Sequence, residues 1–422
     1  MKEKHFKLLI SLLSFTFTHF SIAQPSFPPP SGVYCSCGPT TGIGSGSVAP
    51  AVAAKPFVKG ILVRVAWDLM EPADNIYNWT LIDGQISAAK SYNKKISLGI
   101  GCGIHIPQWV FNSGAQRLVS SVPFNDTIAV PWDSVFLNKW TGFITALGNH
   151  YQNDTTITLV YMTASTGNGF EMELPFVTTP TLSIAGYSDT KMIKSWKTII
   201  DAFNSAFPNH FLTNDFHPVN GSNTVADSVY AYAVSTIGSR YGANAWWWTQ
   251  NNTTVYPSQY TIIRNSASSN NFTGIQMAYS GTTNPNSFGT GGMPAALQLA
   301  ITNGICYWEV WNNDILNNAF DSLLANASCS ITTNVVTEKS TENNFEIYPN
   351  PASDKLIISF SNRKTFTLKI LNSIGQEVSD QIFSKNLKTE TIDISKLQTG
   401  IYFVKAITDD QEVFNQKIII SR

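Results

Sequence analysis

Gly60-Ile61-Leu62-Val63-Arg64-Val65-Ala66-Trp67 is the stretch whose reading decides the fold. It is apolar on both alternating faces, Arg64 excepted, as a strand covered on both sides must be. Working outward, runs of the same kind recur at Ile96–Gly101, Thr158–Thr163, Phe211–Asp215, Ala243–Thr249, Thr273–Tyr279 and Gly304–Val310, with a further short one upstream at Gly32–Ser36. Amphipathic stretches separate them, at Leu81–Tyr92, Ser134–Tyr151, Met192–Phe207 and Met293–Asn303. Eight apolar strands alternating with helices predict an α/β fold, a (β/α)8 TIM barrel. An open doubly wound sheet is the alternative. Its nucleotide-binding signature is absent, because Gly99, Gly101 and Gly103 lack the required spacing.

The rest of the chain frames this barrel. Of 422 residues, 43% are hydrophobic and 13% charged, enough for a large core. The formal net charge of -1 argues against a nucleic-acid partner, which would need clustered Lys and Arg. Low charge and eleven Trp point instead to a Trp-lined surface for a neutral ligand. Lys2, Lys4 and Lys7, the apolar run Leu8 to Phe17 and the small residues Ser21-Ile22-Ala23 read as a signal peptide over residues 1–23. Residues 24–330 carry the barrel, and the polar stretch 331–343 is a linker. Residues 344–422 contain no Trp and read as a small all-β sandwich of about seven strands. The five cysteines, Cys35, Cys37, Cys102, Cys306 and Cys329, are odd in number, so at least one has no partner within the chain. Neither they nor the histidines show metal-ligand spacing, and the expectation is no cofactor and no metal.

In a barrel the chemistry sits at the C-terminal ends of the strands. The four glutamates of the barrel segment, Glu71, Glu171, Glu173 and Glu309, all fall at or just beyond such ends. Two carboxylates from different strands can flank a glycosidic bond, one protonating the leaving oxygen and the other attacking the sugar carbon or activating water. Glu309, within Cys306-Tyr307-Trp308-Glu309-Val310-Trp311, is the expected nucleophile, and a structural Glu held by neighbouring donors is the competing reading. Glu171 and Glu173 lie in Gly167-Asn168-Gly169-Phe170-Glu171-Met172-Glu173-Leu174-Pro175; Glu171 is the expected acid/base, with Glu173 on the substrate. Arg64, Trp67, Trp248, Trp308 and Trp311 complete the expected substrate-binding set, the tryptophans by stacking on sugar faces. In the run Trp246-Trp247-Trp248, alternation puts the first and third on one face. His105 and His217 read as satisfied polar residues, and Glu71-Pro72 as a turn.

Two resemblances add to this. Val63-Arg64-Val65-Ala66-Trp67-Asp68-Leu69-Met70-Glu71-Pro72, then Ile76-Tyr77-Asn78-Trp79, Leu81-Ile82-Asp83 and Pro107-Gln108-Trp109, resembles glycoside hydrolase clan A, in particular the barrel of bacterial beta-galactosidases. That resemblance implies a TIM barrel, O-glycosyl hydrolysis and catalytic glutamates after the fourth and seventh strands. Here the fourth strand has no Asn-Glu pair, and the seventh offers Gln276. A non-catalytic glycan-binding or surface barrel is therefore the alternative. In the tail, Phe345-Glu346-Ile347-Tyr348-Pro349-Asn350-Pro351-Ala352, Gly375-Gln376-Glu377-Val378, Leu397-Gln398-Thr399-Gly400-Ile401-Tyr402-Phe403-Val404-Lys405 and Lys417-Ile418-Ile419-Ile420 resemble the type A C-terminal sorting domain of the type IX secretion system of Bacteroidetes. This implies passage through the periplasm and outer membrane to the cell surface or medium, with the type IX machinery as partner. The combined expectation is a secreted glycoside hydrolase acting on a neutral oligo- or polysaccharide in carbohydrate metabolism.

Overall fold

Eight parallel strands close on themselves in a computed structural model that describes residues 25, 27–36, 49–121, 126–175, 177–268, 272–328, 345–372, 377–408 and 413–421. The expected signal segment, 1–23, and linker, 331–343, lie outside the described residues. The barrel strands are β1 (Gly32–Ser36), β2 (Val58–Ala66), β3 (Lys95–Gly101), β4 (Ile157–Tyr161), β5 (Phe211–Asp215), β6 (Tyr241–Trp248), β7 (Thr273–Met277) and β8 (Tyr307–Trp311). Each pairs with its neighbour in the chain, and β8 pairs with β1 to close the ring. The principal outer helices are α1 (Thr80–Ser91), α2 (Ser134–Tyr151), α3 (Asp189–Ala206), α4 (Thr224–Ile237), α5 (Pro257–Ser268) and α6 (Gly292–Thr302). The α2 and α3 starts are fixed by side-chain caps: Phe136 N–H donates to Asp133 (2.9 Å) and Lys191 N–H to Ser188 (3.3 Å).

Two apolar layers hold the barrel. Outward-facing strand residues such as Val63, Val65, Ile96, Leu98 and Ile275 pack under the helices with Trp67, Trp140 and Phe143. Inward-facing residues fill the lumen with Tyr34, Leu62, Leu159, Tyr161, Phe170, Phe211, Trp246, Phe272 and Tyr307. Aromatic rings of this size fit because facing strands give up side chains. A Cβ on Gly242 would stand 2.0 Å from the Phe272 ring, and one on Gly60 2.2 Å from that of Tyr34. The lumen is thus packed core rather than a pore.

Between β3 and α2 the chain adds a small antiparallel ribbon, Arg117–Val119 with Thr127–Ala129, that the sequence reading did not foresee. Leu118, Ile128, Val130 and Leu182 give it a core of its own.

The chain divides into two compact units, residues 1–332 and 333–422. The second is antiparallel: β9 (Phe345–Tyr348), β10 (Lys355–Asn372), β11 (Glu377–Asp393), β12 (Gly400–Thr408) and β13 (Val413–Ile420). The order is β9-β10-β12-β13, with β11 also on β10. Among the described residues, five strands stand where about seven were expected. Several short segments of the sequence belong to two long strands, and β10 continues past Phe360 through a register shift between Ser359 and Lys364. Inward alternation of Leu356, Ile358, Phe366, Leu368 and Ile370 meets Val404, Ala406, Ile418 and Ile420.

Candidate functional site

The loops after β4 and β5, with the ribbon beside them, enclose a cavity of about 490 Å3 at the C-terminal end of the barrel strands. Its walls carry Glu171, Glu173, Asn168 and Pro175 from the first loop, Pro218, Asn220 and Gly221 from the second, and Ser120 and Asp126 beside the ribbon. The β4 loop is pinned. Asn168 Oδ1 accepts from the N–H of Phe170 (3.0 Å) and of Glu171 (2.9 Å), and Gly167 N–H donates to Glu173 O (2.8 Å). Gly169, at φ +77°, lies so close to the backbone of Cys102 that a Cβ would stand 2.4 Å from its carbonyl oxygen.

Behind the two glutamates stands a buried pair, Asp215 at the end of β5 and His217 two residues beyond it. His217 Nδ1 donates to Asp215 Oδ2 at 2.5 Å, and Asp215 Oδ1 accepts Trp246 N–H at 2.7 Å. His217 Nε2 points toward Glu173, 3.9 Å from its Oε1. Burial works against the charged imidazole, but the Asp215 carboxylate and its hydrogen bond carry the His217 pKa up to about 9. For Glu171, burial and then the Asp215 charge push the carboxyl up to about 7, against a lowering by His217.

Glu309 lies elsewhere. It is fully buried in the lumen, where its Oε1 accepts hydrogen bonds from Tyr161 (2.5 Å) and Tyr307. Its Oε2 is buried without a hydrogen-bond partner among the described residues. Burial raises its pKa to about 7, against the lowering by the two phenols and by Arg64. Tyr161 in turn accepts from Asn244 Nδ2 (2.8 Å), and Tyr307 is bonded to Ser97 (2.7 Å). Phe170 belongs to the same lumen core, stacked on Trp246 at 5.4 Å and filling the space left by Gly99 and Gly101. The guanidinium of Arg64 lies 5.7 Å from the Trp246 ring and 6.0 Å from those of Phe170 and Trp311.

The structure therefore brings together Glu171 and Glu173 on the cavity wall, and places Glu309 in the packed lumen instead. The expected sugar platforms are placed differently too. Trp67, Trp248 and Trp308 are fully buried in the layer between strands and helices. Their indole N–H groups are spent internally, on Glu71 Oε2 (2.8 Å), Ala296 O (2.8 Å) and Ile305 O (2.7 Å). Trp311 is partly buried and donates to Met277 O (2.6 Å). Trp246 and Trp248 do not share a face: a register shift between Ala245 and Trp248 turns Trp248 outward with Trp247. Glu71 closes its turn by accepting Asn75 N–H (3.0 Å). Sequence reasoning did not single out Asp215; His217, expected as a satisfied polar residue, is bonded to it through Nδ1. The signal was the spacing Asp215-Phe216-His217 at a strand end, which sets two polar side chains on one side of the chain.

Comparisons with known proteins bear on each unit. Residues 346–421 match the secretion system C-terminal sorting domain family. The tail is a domain of that kind and marks the chain for export. A sequence search of curated proteins finds no match. Among solved structures, a trimodular GH5_4 subfamily endoglucanase is similar at 8% identity and a TM-score of 0.45, over 93% of this chain and 96% of that one. The catalytic domain of a beta-amylase from Paenibacillus polymyxa is similar at 11% identity and a TM-score of 0.47, over 72% and 98%. A Bacteroides vulgatus protein with an immunoglobulin-like β-sandwich is similar at 14% identity and a TM-score of 0.17, over 18% and 84%. Likeness at this level is silent on activity.

Proposed function

We propose that the barrel is a secreted glycoside hydrolase acting on a neutral oligo- or polysaccharide, with Glu171 as the proton donor and Glu309 as the partner carboxylate. The observation that carries this reading is the position of Glu171 on the wall of the cavity at the catalytic end of the barrel, partly buried beside the Asp215–His217 pair. A carboxyl in such surroundings keeps its proton near neutral pH, which a general acid requires. In the reaction Glu171 gives that proton to the leaving glycosidic oxygen, Glu309 attacks the anomeric carbon, and water then releases the sugar with Glu171 as base. For this, Glu309 must be reached from the cavity, and the ring whose displacement this reading requires is Phe170, stacked on Trp246 in the same lumen. The tail supports delivery by the type IX machinery through the periplasm and outer membrane to the cell surface or medium, and the signal segment 1–23 supports the first step of that route. A Bacteroidetes source fits the same tail.

Two observations favour a second reading, a non-catalytic glycan-binding barrel: Glu309 has no exposed surface, and Gln276 at the end of β7 is bonded to Ser36 in the same interior. Release of reducing ends from a panel of neutral polysaccharides separates the two. A hydrolase loses roughly 10²–10⁴-fold in turnover on Glu171→Gln and keeps its glycan affinity. Glycan binding by the wild type with no turnover on any substrate overturns the hydrolytic reading.

A further inference from the structure

The three polar side chains that converge at the back of the cavity have a chemistry that proton transfer to a sugar does not use up. Glu171 and Glu173 leave the same loop two residues apart, with Met172 between them buried as an anchor. Facing them is His217, only 3% exposed. One carboxylate oxygen of each glutamate and a ring nitrogen of His217 lie within 4.8 Å of one another. Two acidic side chains so near each other would be no more than a solvated pair. The imidazole makes the difference. Its Nδ1 is taken by Asp215 at 2.5 Å, which fixes the ring and leaves Nε2 as the atom aimed at the carboxylates. Nε2 has no hydrogen-bond partner among the described residues; its nearest acidic oxygen, at 3.9 Å, is beyond hydrogen-bond reach. A buried imidazole oriented from behind by a carboxylate, with its other nitrogen directed at two acidic oxygens, is the arrangement of a metal-ligating histidine.

We propose that Glu171, Glu173 and His217 bind a divalent transition-metal ion of the Zn2+ type, with Asp215 as the carboxylate that orients the imidazole. Binding releases to water the proton on His217 Nε2 and the one on the Glu171 carboxyl, whose lone pairs the metal takes. Ligand distances of about 2.0–2.2 Å suit one nitrogen and two oxygens around such an ion. The three ligand atoms lie within 4.8 Å of one another, so a central ion stands within about 1 Å of ligand distance from each, a gap that small side-chain adjustments close. The imidazole selects against Ca2+ and Mg2+, which prefer all-oxygen shells. Three protein ligands at a cavity wall leave a fourth position open to water or to a ligand oxygen. The site goes beyond the hydrolytic reading. If both hold, the loaded protein is the inhibited form, because a carboxylate bound to metal has no proton to deliver.

The test is calorimetric titration of the whole chain, stripped of metal by chelator and dialysis, with Zn2+, and with Ca2+ and Mg2+ in parallel. No substrate is present, so failure here leaves the hydrolytic reading standing, and loss of turnover leaves this one standing. The expected result is one Zn2+ per chain, weakened at least tenfold by Glu173→Gln and by His217→Ala, and about 10–100-fold by Asp215→Asn. Glu173 is half-exposed, so Glu173→Gln folds and decides the matter even if the His217 variant does not. No saturable Zn2+ binding, binding unchanged in Glu173→Gln, or equal affinity for Ca2+ overturns the proposal.

Discussion

A carboxyl with no exposed surface must be held by something other than water, and for Glu309 that role falls to two phenols. Its pKa, raised from 4.5 to about 7, fixes the sign of a pH effect. A raised acid favours the folded state fully below about pH 4.5, and that contribution is lost as pH rises through about 7. Urea unfolding of the wild type is expected to show stability falling over this window by roughly 3 kcal/mol from this residue. In Glu309→Gln that part of the slope disappears, because the amide keeps an acceptor for the phenols and carries no charge. The sequence made the location of Glu309 at a strand end legible, since Tyr307-Trp308-Glu309 alternates. It did not make the packing legible. Alternation sends Tyr307 and Glu309 into the lumen and Trp308 outward, and nothing local in the sequence says that Phe170, 139 positions earlier, fills the same lumen.

At the scale of elements, the strands were readable because parallel strands covered on both sides leave unbroken apolar runs. The ribbon at Arg117–Val119 and Thr127–Ala129 was not, because three-residue strands carry too short a pattern to stand out. The glycine positions of the strands are where aromatic lumen filling is most exposed to challenge. In β6, a Cβ at position 242 would stand 2.0 Å from the Phe272 ring and 2.1 Å from its carbonyl oxygen, and backbone cannot swing aside as a side-chain tip can. Gly242→Ala is expected to destabilise the barrel by about 1–3 kcal/mol, measured as a lowered urea midpoint with unchanged m-value. The β4 loop invites the opposite experiment. Phe170→Ala removes a ring from the lumen mouth and is expected to cost about 3–5 kcal/mol in stability. If Glu309 is the partner carboxylate, the same change raises turnover per folded molecule; unchanged or lower turnover argues that Phe170 does not guard it.

For the molecule as a whole, the two units have separate cores, one around the strands of the barrel and one around Leu356, Ile358, Val404 and Ile418. A chain shortened after residue 332 is expected to keep the thermal midpoint of the barrel within a few degrees, and to remain with the cells instead of reaching the surface or medium. Scanning calorimetry and fractionation of the culture check the two halves of that statement. The change of composition near residue 335 lies beside the division of the chain into two units; the number of strands among the described residues of the tail was not legible, because long strands with register shifts mimic several short ones. The ring is sewn shut along a single seam, where Gly32 to Ser36 lie beside Tyr307 to Trp311. The ribosome finishes one lip of that seam hundreds of residues before the other, so the ring cannot close until synthesis of the barrel unit is nearly complete.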